Sequence, residues 1–221
     1  MRFLPAATGL AATLVLAACS PAFLKHAERA SDLAPGEVIL AGQIDLSPPL
    51  GAKEQKLQQG IFSTSERLRG KVYVYGGKKW REIARADEGL AGFSDLSGGI
   101  EAELGRNFFV RLNYRPFVMI TAMIAMKQLV HATGYRGRSM VAETDYIYLP
   151  GGLRVDVRPD DRAVYMGTIL YHRDEFFDIK KVDILDDYAQ ASREFQKKFG
   201  SKIKLRKELA EPKKKPSGGA Y

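Results

Sequence analysis

The chain runs to 221 residues, 45% hydrophobic and 27% charged, with one cysteine and a formal charge of +8. That length and composition suit one globular domain with a core large enough to fold unaided, and a single cysteine excludes any intramolecular disulfide. The charge does not carry a nucleic-acid reading. Arg2 supplies one unit and the stretch after Ala210 a net two (Lys213, Lys214 and Lys215 against Glu211), which leaves +5 dispersed among acidic residues. No nucleic-acid-binding motif accompanies it.

The amino terminus opens Met1-Arg2-Phe3-Leu4 and continues as an apolar run to Leu14-Val15-Leu16-Ala17-Ala18-Cys19. A short charged head, an apolar middle and small residues at the exit describe a secretory signal peptide. The run is shorter than the roughly 20 apolar residues of a membrane-spanning helix. The order Leu16-Ala17-Ala18-Cys19 resembles the lipobox of bacterial lipoproteins. That resemblance implies a signal peptide over 1–18, cleavage between Ala18 and Cys19, and diacylglyceryl on the Cys19 sulfur. The mature protein would then be held to a cell-envelope membrane through its lipid. Ser20 in the next position implies the outer membrane, facing the periplasm, in a Gram-negative host. Each buried methylene contributes about 0.8 kcal/mol, and two or more acyl chains make such anchoring stable.

Residues 19–35 read as the lipidated cysteine and a polar tether. Glu37 to Leu46 is rich in β-branched residues and stops at Pro48-Pro49, so a strand is expected there, followed by loop or a short helix over 51–70. Lys71-Val72-Tyr73-Val74-Tyr75 alternates, and Gly76-Gly77-Lys78-Lys79 is expected to turn it into a strand over Trp80 to Ala84. A second hairpin is expected from Ile100–Leu104 through Gly105-Arg106-Asn107 into Phe108–Tyr114. Pro116 to Met126 suits either a helix or the return arm of a hairpin; the strand is preferred because Val118, Ile120, Thr121 and Ile124 are β-branched.

Farther on, Tyr146–Leu149, a Pro150-Gly151-Gly152 turn, Leu153–Val157, a second turn at Arg158–Arg162 and Ala163–Tyr171 read as a three-strand antiparallel meander. Ala163 to Tyr171 is apolar on both faces, as a central strand would be. Ile179 to Leu185 is one more strand. Asp186-Asp187 then cap a helix to Phe199 with the stripe Tyr188, Ala191, Phe195 and Phe199, stopped by Gly200. Residues 211–221 are basic, rich in Pro, Ser and Gly, and are expected to be disordered.

Together these elements predict a mainly β protein, an antiparallel β-sandwich over 36–210 with a C-terminal amphipathic helix. Val164-Tyr165-Met166-Gly167-Thr168-Ile169, then Val182 to Tyr188 and the helix, resemble envelope lipoproteins with transthyretin-like or carboxypeptidase-regulatory-like sandwiches. The resemblance spans roughly Phe108 to Gly200 and concerns packing, so it implies fold and not activity.

Three groups of residues carry candidate chemistry. Met119, Met123 and Met126 would gather their thioethers only on a helix, where exported Met-rich segments can hold copper(I); in a strand they are core. Tyr171-His172-Arg173-Asp174-Glu175, with Asp178 nearby, is the densest polar cluster, and a hydrolase or metal-dependent site there is the alternative functional reading. His26, His131 and His172 are too few for a well-supplied zinc site, no Gly-x-Ser-x-Gly elbow is present, and lipid would consume Cys19. No cofactor and no metal is therefore expected. The favoured reading is a non-enzymatic binding or accessory module for an envelope protein or glycan, with strand tyrosines Tyr73, Tyr75, Tyr146 and Tyr148 as candidate surface.

Overall fold

The computed structural model describes residues 24–57, 70–77, 99–112, 117–133 and 139–212. The expected signal peptide over 1–18, its cleavage site at Ala18 and Cys19, the expected strand at Trp80–Ala84 and the tail from Lys213 lie outside these residues.

The elements are β1 (Val38–Ser47), α1 (Ala52–Leu57), β2 (Lys71–Gly77), β3 (Gly99–Glu103), β4 (Asn107–Leu112), β5 (Phe117–Thr133), β6 (Ser139–Val155), β7 (Ala163–Arg173), β8 (Ile179–Leu185), α2 (Tyr188–Phe199), β9 (Leu205–Lys207) and β10 (Glu211–Pro212). They form two mostly antiparallel sheets. One has the order β4-β1-β7-β8 with β9 also on β7; the other is β10-β6-β5-β2-β3. The protein is a mainly β sandwich with a helix near its carboxyl end, as its composition and alternation predict.

Three layers result. Leu40, Ile44, Val72, Val74, Phe117, Ile124, Leu149 and Tyr171 fill the space between the sheets. On the far side of the first sheet, Ile39, Ala41 and Tyr165 meet Ala191, Phe195 and Phe199 of α2. The first sheet is the middle layer, which is why β1 and β7 are apolar on both faces: Ala163 to Ile169 is buried without a break. Such a strand cannot be amphipathic, because neither face meets water. Within this sheet β7 runs parallel to β1 and to β9, a departure from a purely antiparallel sandwich.

Two expected connections are corrected. Ile100–Leu104 and Phe108–Tyr114 were to pair as a hairpin; instead β3 pairs with β2 and β4 with β1, so Leu104–Arg106 is a corner between the sheets. Gly105 takes φ 71° there and its N–H donates to the Ile44 carbonyl at 2.9 Å. A corner and a hairpin need the same left-handed glycine.

The Pro150-Gly151-Gly152 turn is likewise no turn. β6 continues through it, with Pro150 opposite Thr121 and Leu153 opposite Met119. Gly151 and Gly152 together face one residue of β5, a β-bulge, with Gly152 at φ 82°. The meander ends there too, since β7 crosses to the other sheet and pairs with β1, not with Leu153–Val157.

Within the segment expected to be a tether, 19–35, Leu24–Ala27 is docked on the fold. The Leu24 N–H donates to the Gly99 carbonyl at 2.6 Å and that of Ala27 to the Phe109 carbonyl at 2.9 Å, while the Lys25 carbonyl accepts from the Arg111 N–H at 2.9 Å. Ala27 has no exposed surface, and the His26 Nε2 lies 2.8 Å from the Glu101 carbonyl. Backbone hydrogen bonds dock this segment, with Leu24 and Ala27 packed against the core, and two apolar residues in so short a stretch gave no sign of it. At the other boundary, Glu211 and Pro212 leave the expected free tail and pair with Arg154 and Leu153 of β6.

Candidate binding face

The outer face of the second sheet follows from strand parity. On β2, Val72 and Val74 point into the core, so Tyr73 and Tyr75 point the other way. On β6, Ile147 and Leu149 are core and Tyr146 and Tyr148 face outward. β5 lies between these strands. Its register places Met123 opposite both Tyr73 and Tyr148, and Thr121 opposite both Tyr75 and Pro150. One row therefore reads Tyr148, Met123, Tyr73 and then Glu101 of β3, whose carboxylate pairs with Lys71.

Exposure divides the face. Tyr148 is 62% exposed and Tyr146 37%, whereas Tyr75 is only 6% exposed. The open part is the Tyr146–Tyr148 pair, with ring centroids 6.2 Å apart and planes tilted by 53°. Burial, with the neighbouring Tyr146 and Tyr73 phenols, pushes the Tyr75 hydroxyl up to about 12. Burial, then Glu101 and Tyr146, raises Tyr73. The inner phenols thus stay protonated at neutral pH and keep a donor as well as an acceptor. Uncharged rings with polar tips and an ion pair at the rim suit a partner that offers apolar area and hydroxyls or amides.

The His172 region is arranged differently from a converging site. His172 Nε2 lies 2.9 Å from Asp183 Oδ2 on β8, and Lys181 Nζ donates to the same oxygen at 2.8 Å. Lys181 chiefly, with His172, holds the Asp183 carboxyl below the usual carboxylate range against the opposing effect of burial. Arg173 points the other way: Nη1 and Nη2 donate to the two Glu54 carboxylate oxygens at 3.0 and 2.8 Å, and Nε and Nη2 to the Pro48 and Pro49 carbonyls. It clamps α1 to the end of β7. Asp174 is spent on the turn, accepting from the Phe176 and Asp178 N–H groups at 2.8 and 3.0 Å. Glu175 is exposed. Alternating strand faces thus send Arg173 away from His172, and Asp183, distant in sequence, becomes its partner. Among the described residues no group of three or more His, Cys, Asp or Glu side chains gathers as metal ligands.

The methionines follow the strand expectation. Met119 and Met126 lie in the inter-sheet core and Met123 on the other face of β5, and all three are buried. Met119 Sδ is 3.9 Å from the Tyr171 hydroxyl. A cavity of about 380 Å³ opens at the sandwich end beside α1, where Asp45, Gln55, Glu103 and Arg106 line it. No sequence pattern marked it, because its walls come from three separate stretches of the chain, 45–55, Gly70 and 103–106.

Comparison with protein-family models, curated proteins and solved structures finds no match to this chain.

Proposed function

We propose that the chain is a lipid-anchored cell-envelope lipoprotein whose sandwich is a non-enzymatic binding module, with the tyrosine face of the second sheet as its contact surface for a protein or glycan. The anchor rests on Leu16-Ala17-Ala18-Cys19 and the apolar run before it. The observation that carries the binding reading is the position of Tyr148, a large ring more than half exposed on a rigid strand beside Tyr146. Rigid aromatic side chains give much contact area for little lost conformational freedom, and tyrosine is enriched among the residues that dominate binding energy.

Two measurements test the two halves. Cys19→Ala should abolish incorporation of labelled fatty acid and leave an unprocessed precursor; continued labelling overturns the anchor. Affinity capture from envelope extracts with the mature protein should recover a partner that Tyr148→Ala loses by about tenfold or more, with the thermal midpoint nearly unmoved because the ring is exposed. Undiminished capture by both Tyr148→Ala and Tyr146→Ala refutes this face as the contact surface.

A further inference from the structure

Strand register defines two ends of the sandwich. Gly77 lies opposite Val118, Gly99 opposite Tyr75, Phe117 opposite Val155, Val38 opposite Leu112, and Ala163 beside both Ile39 and Leu205. All of these sit at one end. The chain enters the fold there, where Leu24 bonds to Gly99. The opposite end holds α1, the Leu104–Arg106 corner and the β7–β8 turn with Phe176 at 75% exposure. Only four residues lie between Cys19 and Leu24. At about 3.3–3.6 Å per residue, the five steps span no more than roughly 18 Å.

The entry end is also basic. Arg162 precedes Ala163, and Lys204 precedes Leu205, its register neighbour; Lys202 lies in the same loop. All three are exposed, and no ion pair joins them to a carboxylate among the described residues. The acidic groups nearby are largely engaged: Asp156 with Arg154 at 2.6 Å, and Asp161 with Arg206 at 2.7 Å. Glu37 pairs with Arg111 at 3.9 Å, and Glu208 shares Arg206 with Asp161; Asp160 and Glu211 remain against Arg158 and these three cations.

We propose that this entry end is a membrane-facing surface that binds anionic phospholipid headgroups through Arg162, Lys202 and Lys204, and so holds the domain in one orientation. The proposal rests on the Cys19 anchor for proximity, but its charge complementarity is independent of it. An acyl chain alone leaves the domain free to swing; a short tether with a basic face fixes which end meets the bilayer. Each basic residue at an anionic surface contributes about fivefold in affinity, an effect that falls away beyond about 10 Å at 0.1 M salt.

The test is orientation. Cys19 is the only cysteine, and lipid occupies its sulfur, so one added cysteine takes a fluorophore selectively. Asp160→Cys marks the entry end and Phe176→Cys the far end of the mature lipoprotein, reconstituted with a headgroup acceptor dye. In phosphatidylglycerol-containing vesicles, transfer should be strong from position 160 and weak from 176. Pure phosphatidylcholine, or the triple change Arg162→Glu, Lys202→Glu and Lys204→Glu, should shrink that difference. Equal transfer from both positions in anionic vesicles, or no response to the triple change, overturns the proposal. Absence of acyl label on Cys19 overturns the anchor instead. The chain from Ser20, which keeps every described contact of the fold, then decides the face by co-sedimentation with the same vesicles. There, preference for the anionic vesicles that the triple change removes sustains the face, and no such preference sinks it.

Discussion

Phe195→Ala measures whether α2 belongs to the folded core. Phe195 has no exposed surface. Its ring meets Phe109 of β4 edge-on at 5.9 Å and Phe199 at 4.7 Å, over Ile39, Ala41 and Tyr165 of the middle sheet. Truncation removes the transfer energy of the ring and leaves a cavity that the stiff sheet closes only in part, about 3–5 kcal/mol. A domain of this kind has about 5–15 kcal/mol in total. With a urea dependence of about 2 kcal/mol per molar, the midpoint should fall by roughly 2 M. Two controls isolate burial as the cause. Phe176→Ala removes the same ring from an exposed turn, and Lys197→Ala removes an exposed residue of the same helix; both should stay within about 0.5 kcal/mol, a quarter of a molar. If all three variants shift the midpoint equally and slightly, α2 is not docked and the three-layer packing fails.

Two further outcomes follow from close packing and from charge. A Cβ at Gly76 would sit 2.3 Å from Phe117 Cε2, and Phe117 is fully buried, so Gly76→Ala should cost about 1–3 kcal/mol by thermal melting; a neutral change would show that the ring can move aside. Burial alone would raise the Asp161 carboxyl, but hydrogen bonds from Arg206 and the Arg158 N–H together hold it below its ordinary 3.8. A lowered folded-state value means stability that is complete above pH 3.8 and lost as pH falls further. The stability gap between the wild type and Asp161→Asn should therefore be constant near neutrality and close below that pH. A gap that persists unchanged under acid titration would contradict the ion pair.

What the sequence discloses is periodicity, and what it conceals is partnership. The β7 segment reads as central from its unbroken apolar run, and α2 reads correctly from its stripe, because burial on one or both faces writes itself into each element separately. Gly105 and Pro150-Gly151-Gly152 are legible as backbone irregularities but not as a corner and a bulge, since hairpin turn, inter-sheet corner and bulge all call on glycine at positive φ. The docking of Leu24–Ala27 uses main-chain hydrogen bonds, with Leu24 and Ala27 against the core, and so short a segment shows no periodicity. The binding face is half legible in the same way. Parity puts Tyr73 with Tyr75 and Tyr146 with Tyr148, but only the pairing of both strands with β5 brings the two pairs to one surface.

That pairing also decides where the face would stand if the entry end rests on a bilayer. β5 starts at the entry end with Phe117, and its pairing with β2 stops at Ile124; at about 3.3 Å per residue, the eight steps from Phe117 to Ala125, opposite Tyr146, climb roughly 26 Å. Among the described residues, Lys127–Thr133 and Ser139–Asp145 then pair only with each other and continue as a two-stranded ribbon beyond the far end. The register shift between Ala125 and Lys127 marks where the ribbon departs, immediately beside Tyr146. An irregularity at such a position strengthens local twist and turns the ribbon relative to the sheet. The exposed tyrosines would thus lie on the flank farthest from the lipid, at the root of the ribbon. There they can meet a partner in the space facing the membrane, without competing with headgroups for the same rings. A surface at the entry end would have to choose between bilayer and partner; one at the height of Tyr146 and Tyr148 does not.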